Sequence, residues 1–182
     1  MRTDPAQRNG LLELCDQCLK LCGERGVNTI AEIGSYAGES TMILAGKFDK
    51  AKLFAIDPWG SGYCCDKGEL SYNEEPQAVE SRFDKNTASI RNRLTKFKGK
   101  STDAVARIAD GSLDVVYIDG CHEYACVVDD IKAWRPKVRP GGVLCGHDYG
   151  EHCAAVKRAV DDALGKPEKV FQDSSWLFTI RV

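Results

Sequence analysis

The 182-residue sequence contains no run of eighteen apolar residues, the length at which a segment becomes a candidate membrane span. Its opening, MRTDPAQRNG, lacks the apolar stretch of a secretory leader. These absences lead to the expectation of a soluble, cytoplasmic protein with no membrane partner. A charge excess is missing too: 25 basic residues stand against 27 acidic ones, a net charge of -2, which sets up no field for a polyanion. No nucleic-acid partner is expected, and the basic run RNRLTKFKGK (91–100), with little aromatic interleaving, reads as a solvated helix face. Internal repeats and low-complexity tracts are absent. At this length one buried core is affordable and two are not, so a single domain over 1–182 is expected, opening with a helical segment over 1–26.

An even cysteine count is also lacking. Nine cysteines in a chain longer than small disulfide-stapled domains read as reduced thiols. Cys15, Cys18 and Cys22 in ELCDQCLKLCG raise a metal-ligand spacing. With Leu11 and Leu19, however, they fall on one apolar helix stripe, where cysteine packs as a small hydrophobe.

What is present is alternation. Near-continuous apolar segments at 27–33 (VNTIAEI), 52–57 (KLFAID), 113–119 (LDVVYID) and 142–148 (GVLCGHD), with a weaker one at 97–101, suit parallel strands covered on both faces. Between them run helical patterns: STMILAGKF, then Tyr124, Val127, Val128, Ile131 and Trp134 with Pro136 at the exit, then Val156, Ala159, Val160, Ala163 and Leu164. This predicts an α/β fold, a Rossmann-like doubly wound sheet. KVFQ and WLFTIRV, separated by a short polar turn at Asp173 and Ser174, predict a closing antiparallel hairpin. Residues 60–80 interrupt the pattern as a lid or a surface excursion.

The loop AEIGSYAGEST (31–41) follows the first strand, where open parallel sheets bind ligands. It lacks the third glycine of a G-x-G-x-x-G dinucleotide fingerprint, and Glu32 would oppose a pyrophosphate. A nicotinamide-dependent oxidoreductase is therefore disfavoured. An acid beside Gly34 and Gly38, with Ser35 and Tyr36 between them, suits a phosphate-free ligand with a cationic part. S-adenosylmethionine (SAM) is such a ligand. Asp57, about twenty residues further on at the end of the second strand, is placed to accept from ribose hydroxyls.

EIGSYAGEST, AIDPWG, VVYIDGCHEY and RPGGVLCGHDY, in that order over about residues 28–182, resemble a class I SAM-dependent methyltransferase. The nearer likeness is to the small-molecule branch that includes macrocin O-methyltransferases and cephalosporin hydroxylase-like proteins. The resemblance implies a seven-stranded sheet, mostly parallel with the C-terminal hairpin antiparallel. It also implies SAM as cofactor, and adenine contacts at Ser101 and Asp103. Trp59 either covers the adenosine or packs under the insertion.

Asp119 and Asp148 end adjacent strands, and two bare carboxylates there are costly unless a divalent cation, magnesium or manganese, neutralises them. All three histidines fall in the same loops: His122, His147 and His152. Methyl transfer to a hydroxyl needs an aligned, deprotonated acceptor. Asp119 and Asp148 are accordingly assigned to the metal and His122 to the base. His147 is a further candidate ligand, a nitrogen donor where magnesium prefers oxygen. The expectation is a metal-assisted O-methyltransferase acting on a small hydroxylated acceptor. The alternative is a SAM-binding accessory or regulatory protein without methyl transfer. A homo-oligomer would use the N-terminal segment or the 60–80 insertion as its contact surface.

Overall fold

The computed structural model describes residues 5–60 and 75–181. A seven-stranded sheet runs in the order β3-β2-β1-β4-β5-β7-β6. Its strands are β1 (Thr29–Ile33), β2 (Lys52–Asp57), β3 (Leu94–Lys98), β4 (Leu113–Ile118), β5 (Val138–Gly146), β6 (Lys169–Val170) and β7 (Trp176–Thr179). The first five are parallel; β7 pairs antiparallel with both β5 and β6, the expected hairpin. The helices are α1 (Pro5–Cys22), α2 (Glu39–Lys47), α3 (Pro76–Asn86), α4 (Ser101–Val105), α5 (Tyr124–Trp134) and α6 (Ala154–Leu164). None of the described helices is long and apolar enough to cross a membrane.

The two-residue period of a strand sorts the core into two layers. On β4, Val115 and Tyr117 meet Leu11, Leu14, Cys15 and Cys18 of α1 and Leu44 of α2. Val116 and Ile118 point the other way, to Val127, Ile131 and Trp134 of α5 and Val156 and Val160 of α6. Every residue of β4 is buried, as a central strand covered on both faces requires. The three cysteines of α1 lie buried in the first layer, which makes them packing residues.

Two sequence expectations shift. The third strand is expected at 97–101; it runs over Leu94–Lys98, and Ser101 already opens α4. The run 91–100 is thus the edge strand β3 and its approach, not a helix face. Two of its lysines are paired: Lys96 with Glu80 (2.8 Å) and Asp84 (2.7 Å), Lys98 with Glu80 (2.6 Å). Charge of this kind also blunts an exposed sheet edge. Arg93, just ahead of the strand, donates to the carbonyls of Ala45 (2.7 Å), Phe48 (3.1 Å) and Ala51 (3.0 Å), closing the C-terminal end of α2. The fifth strand begins earlier than its apolar core, at Val138, because a register shift opposite Leu113 and Val115 accommodates Pro140 and two glycines. The lid expected over 60–80 lies mostly outside the described residues; from Pro76 onward that stretch is the first turns of α3.

Candidate active site

The strand order reverses between β1 and β4, and the loops that leave their carboxyl ends form the candidate site. The β1 loop is built tightly. Gly34 has φ +90°, and a Cβ there would lie 2.1 Å from the Asp119 carbonyl oxygen, so only glycine lets the β1 and β4 loops touch. Gly38 (φ +83°) caps α2, with Phe83 and Thr87 3.0 Å from any added Cβ.

Four non-glycine residues take positive φ among those described: Tyr36 (43°), Trp59 (38°), Asp148 (62°) and Ser174 (65°). The first three leave β1, β2 and β5, and the fourth sits in the hairpin turn, hydrogen-bonded through its carbonyl to the Tyr149 N–H (2.9 Å). Backbone held in this region costs on the order of 1–3 kcal/mol per residue and concentrates where function demands it. All four border the carboxyl edge of the sheet.

Glu32 lies beneath this loop and not on the pocket wall. It is 1% exposed and turned under the loop, where it accepts from Ser35 Oγ (2.8 Å) and from the Thr41 hydroxyl. Burial raises its pKa, while the hydroxyls of Ser40, Thr41 and Ser35 work in the opposite direction. Asp57 is also buried, its two oxygens accepting the N–H groups of Tyr36 (2.9 Å) and Trp59 (2.8 Å). Trp59 is a core residue. Its ring packs against Phe83 (4.7 Å between centroids) and under the Lys96 ammonium, and its Nε1 donates to the Tyr36 carbonyl (2.7 Å). Asp57 and Trp59 therefore lock the β1 and β2 loops together. Ser101 is likewise occupied, accepting from Trp134 Nε1 (2.6 Å) and bonding the buried Asp130. Asp103 is exposed on α4.

Gly34, Ser35, Tyr36, Ala37, Glu39, Ser40, Asp119 and His122 line a pocket of about 140 Å³ at the N-terminus of α2. Whole-ligand pockets run to roughly 300–1,000 Å³, so these residues embrace one portion of a ligand. Sequence reasoning misses Ala37, Glu39 and Ser40; their place directly around the helix-capping glycine is the signal that finds them. A second recess of about 450 Å³, on the hairpin side, is lined by His147, Asp148, His152, Phe171 and Asp173 among others.

Between the two recesses the acids and histidines converge. Ligating atoms of Asp119, His122 and Asp148 all lie within 4.8 Å of one another. His122 Nε2 is 3.0 Å from Asp148 Oδ2, His147 Nδ1 is 3.2 Å from the same oxygen and 3.8 Å from Asp119 Oδ1, and His152 Nε2 is 3.3 Å from Asp148 Oδ1. Burial alone would raise the Asp148 pKa, but hydrogen bonds and charge from His122 and His147 outweigh it and hold the carboxyl far below the usual range. The same contact raises His122, against the burial that lowers it. The donor group is two carboxylates and the His122 imidazole, with His147 and His152 also against Asp148, chemistry that fits a divalent metal of the nitrogen-accepting kind.

This sheet order, with a glycine-bearing first loop and acids at the ends of β2, β4 and β5, defines the class I SAM-dependent methyltransferase fold. Solved structures agree on the fold. Rv0187 from MTB, in a cofactor-bound form, superposes with a TM-score of 0.65 at 17% identity, covering 100% of this chain and 83% of that one. CalS11, a calicheamicin methyltransferase, gives 0.63 at 14% identity over 92% of this chain and 77% of its own. A geranyl diphosphate methyltransferase in complex with SAM gives 0.56 at 12% identity, covering 93% and 74%. A family model described as a methyltransferase domain matches residues 31–149, and the chain belongs to that family. It is also 29% identical over 125 residues to the uncharacterized protein y4gI of Sinorhizobium fredii (strain NBRC 101917 / NGR234), a match that takes in 65% of this chain and 13% of that protein's length.

Proposed function

We propose that this methyltransferase moves the methyl group of SAM to a hydroxyl oxygen of a small molecule, with a divalent metal assisting. The observation that carries the reading is that the loop pocket and the acid and histidine cluster share Asp119 and His122. A methyl donor held in the first would therefore abut an acceptor held at the second.

Gly34 to Ala37 and the N-terminus of α2 take the amino-acid end of the cofactor, whose carboxylate the helix dipole favours and whose ammonium Asp119 favours. Asp57 takes the ribose, and Asp103, exposed on α4, is the side chain offered to the adenine. Asp119 and Asp148 hold the metal. Bound SAM supplies an electrophilic methyl group, and a bound divalent cation lowers the pKa of a hydroxyl and orients it. His122, half-exposed and held by Asp148, accepts the acceptor's proton. The recess beside the hairpin seats the acceptor, close enough to His122 through the 3.0 Å His122–Asp148 contact. An oxygen acceptor is supported by the fold likeness to CalS11, a TDP-rhamnose 3'-O-methyltransferase.

A calorimetric titration with S-adenosylhomocysteine, followed by label transfer from methyl-labelled SAM to a panel of hydroxylated acceptors with manganese present, tests the reading. Micromolar binding and a labelled oxygen are expected. No binding overturns the cofactor assignment, and binding without transfer selects the accessory-protein alternative.

A further inference from the structure

We infer that Asp173, in the turn between β6 and β7, is a positioning residue that presents His147 to the metal as a nitrogen ligand, so that the site takes manganese, zinc or cobalt in preference to magnesium. The inference rests on the reading that Asp119 and Asp148 hold a divalent metal.

His147 is buried between two sets of carboxylates. Its Nδ1 faces Asp148 and Asp119, while its Nε2 lies 3.9 Å from Asp173 Oδ2. The ring thus bridges the cluster and the hairpin. To ligate through Nδ1, an imidazole must carry its proton on Nε2, and the partner of the second nitrogen selects that tautomer. A carboxylate behind Nε2 does this, and the carboxylate–histidine–metal relay is a recurrent way of fixing both ring orientation and basicity. The 3.9 Å separation is about 1 Å beyond a hydrogen bond, and the ring must close that gap when Nδ1 takes the metal.

Asp173 is built to stay where it is. Its side chain is fully buried, Oδ1 accepts the Ser175 N–H (3.0 Å) and Oδ2 the Ser175 hydroxyl (2.9 Å). On the far side Gly10 of α1 presses against it so closely that a Cβ at that position would fall 2.2 Å from the Asp173 Cγ. The hairpin also grips the backbone of His147, whose carbonyl accepts from Trp176 Nε1 (3.1 Å), and that of Tyr149, whose N–H donates to Ser174. One turn therefore fixes the residues on both sides of Asp148. A buried carboxylate is costly without a charged or hydrogen-bonding partner. Among the described residues its ion-pair partner is His147.

The test titrates the full chain, stripped by chelator, with zinc, manganese and magnesium chlorides in the calorimeter, and records the visible spectrum of the cobalt(II) form. Wild type should bind zinc or manganese at least about tenfold more tightly than magnesium. Asp173→Asn should lose about 10–100-fold in zinc affinity, with an altered cobalt band and no comparable loss for magnesium. His147→Gln should cut the preference at least about tenfold, and it carries the test if Asp173→Asn does not fold. Zinc affinity and cobalt spectrum unchanged in folded Asp173→Asn, or a preference undiminished in His147→Gln, would overturn the inference and leave the metal site standing. A wild-type chain that binds no divalent metal would overturn both.

Discussion

Strand β4 carries an aspartate near each end, and the two are held in opposite ways. Asp114, at the N-terminal end, is 1% exposed and saturated with fixed donors. Asn28 N–H (2.8 Å), Thr29 N–H (3.0 Å) and Thr29 hydroxyl (3.1 Å) reach one oxygen, and Arg139 Nε (2.5 Å) the other. Burial would raise its pKa, yet these donors leave it lowered. Asp119, just past the other end, faces a pocket and the histidines. A carboxylate whose donors are all protein atoms holds a fold together. One that shares a pocket wall with imidazoles sits where a ligand would be met, and this contrast in surroundings distinguishes the two more sharply than residue type does.

The largest expected effect breaks the structural end. Asp114→Ala strands the Arg139 guanidinium, and losing one partner of a buried pair costs about 3–5 kcal/mol, measured by urea denaturation. At the other end, His122→Gln should lower kcat about 10²- to 10⁴-fold while shifting the urea midpoint little, since the side chain is half-exposed. Equal losses of stability in the two variants would dissolve the comparison.

Asp130 sharpens it from a third position. Burial first, and the charge of Asp129 after it, push this α5 carboxyl up to about 6, despite the Ser101 hydrogen bond. Its folded pKa lies above the unfolded value, so its contribution to stability is full below about pH 4 and is lost as pH rises through about 6. Asp130→Asn should remove that loss, gaining up to about 3 kcal/mol at pH 7.5, which is what ionising a carboxyl raised from the ordinary aspartate range to about 6 costs the folded state. Denaturation curves at about pH 4.5 and pH 7.5 would show it, and a variant no more stable than wild type at the higher pH contradicts the assignment. The smallest effect belongs to Lys98→Ala, whose exposed pair with Glu80 is worth about 1 kcal/mol or less.

The core strands are legible in sequence because burial on both faces leaves an unbroken apolar run: KLFAID reads as a strand over 52–57, and β2 spans Lys52–Asp57. Edge strand β3 is harder to place because Lys96 and Lys98 take their partners from α3, a contact that no local pattern reveals. Asp119, His122 and Asp148 can be grouped before any coordinates, since strand ends fix where a residue emerges. Sequence reasoning does not turn Glu32 under its loop. Its direction depends on Ser35 and Thr41 closing beneath the turn, a tertiary arrangement. Asp173 escapes attention because a polar turn already explains an aspartate, and only the packing of Gly10 and the approach of His147 give it a second role.

The Arg93 contacts give α2 a fixed far end. A nine-residue helix is a stiff strut about 13 Å long, with the pocket at its Gly38 end and the guanidinium clasp at the other. A ligand tugging on the first turn must load the clasp as well, so binding at the glycine loop should slow hydrogen exchange in the last turn of α2.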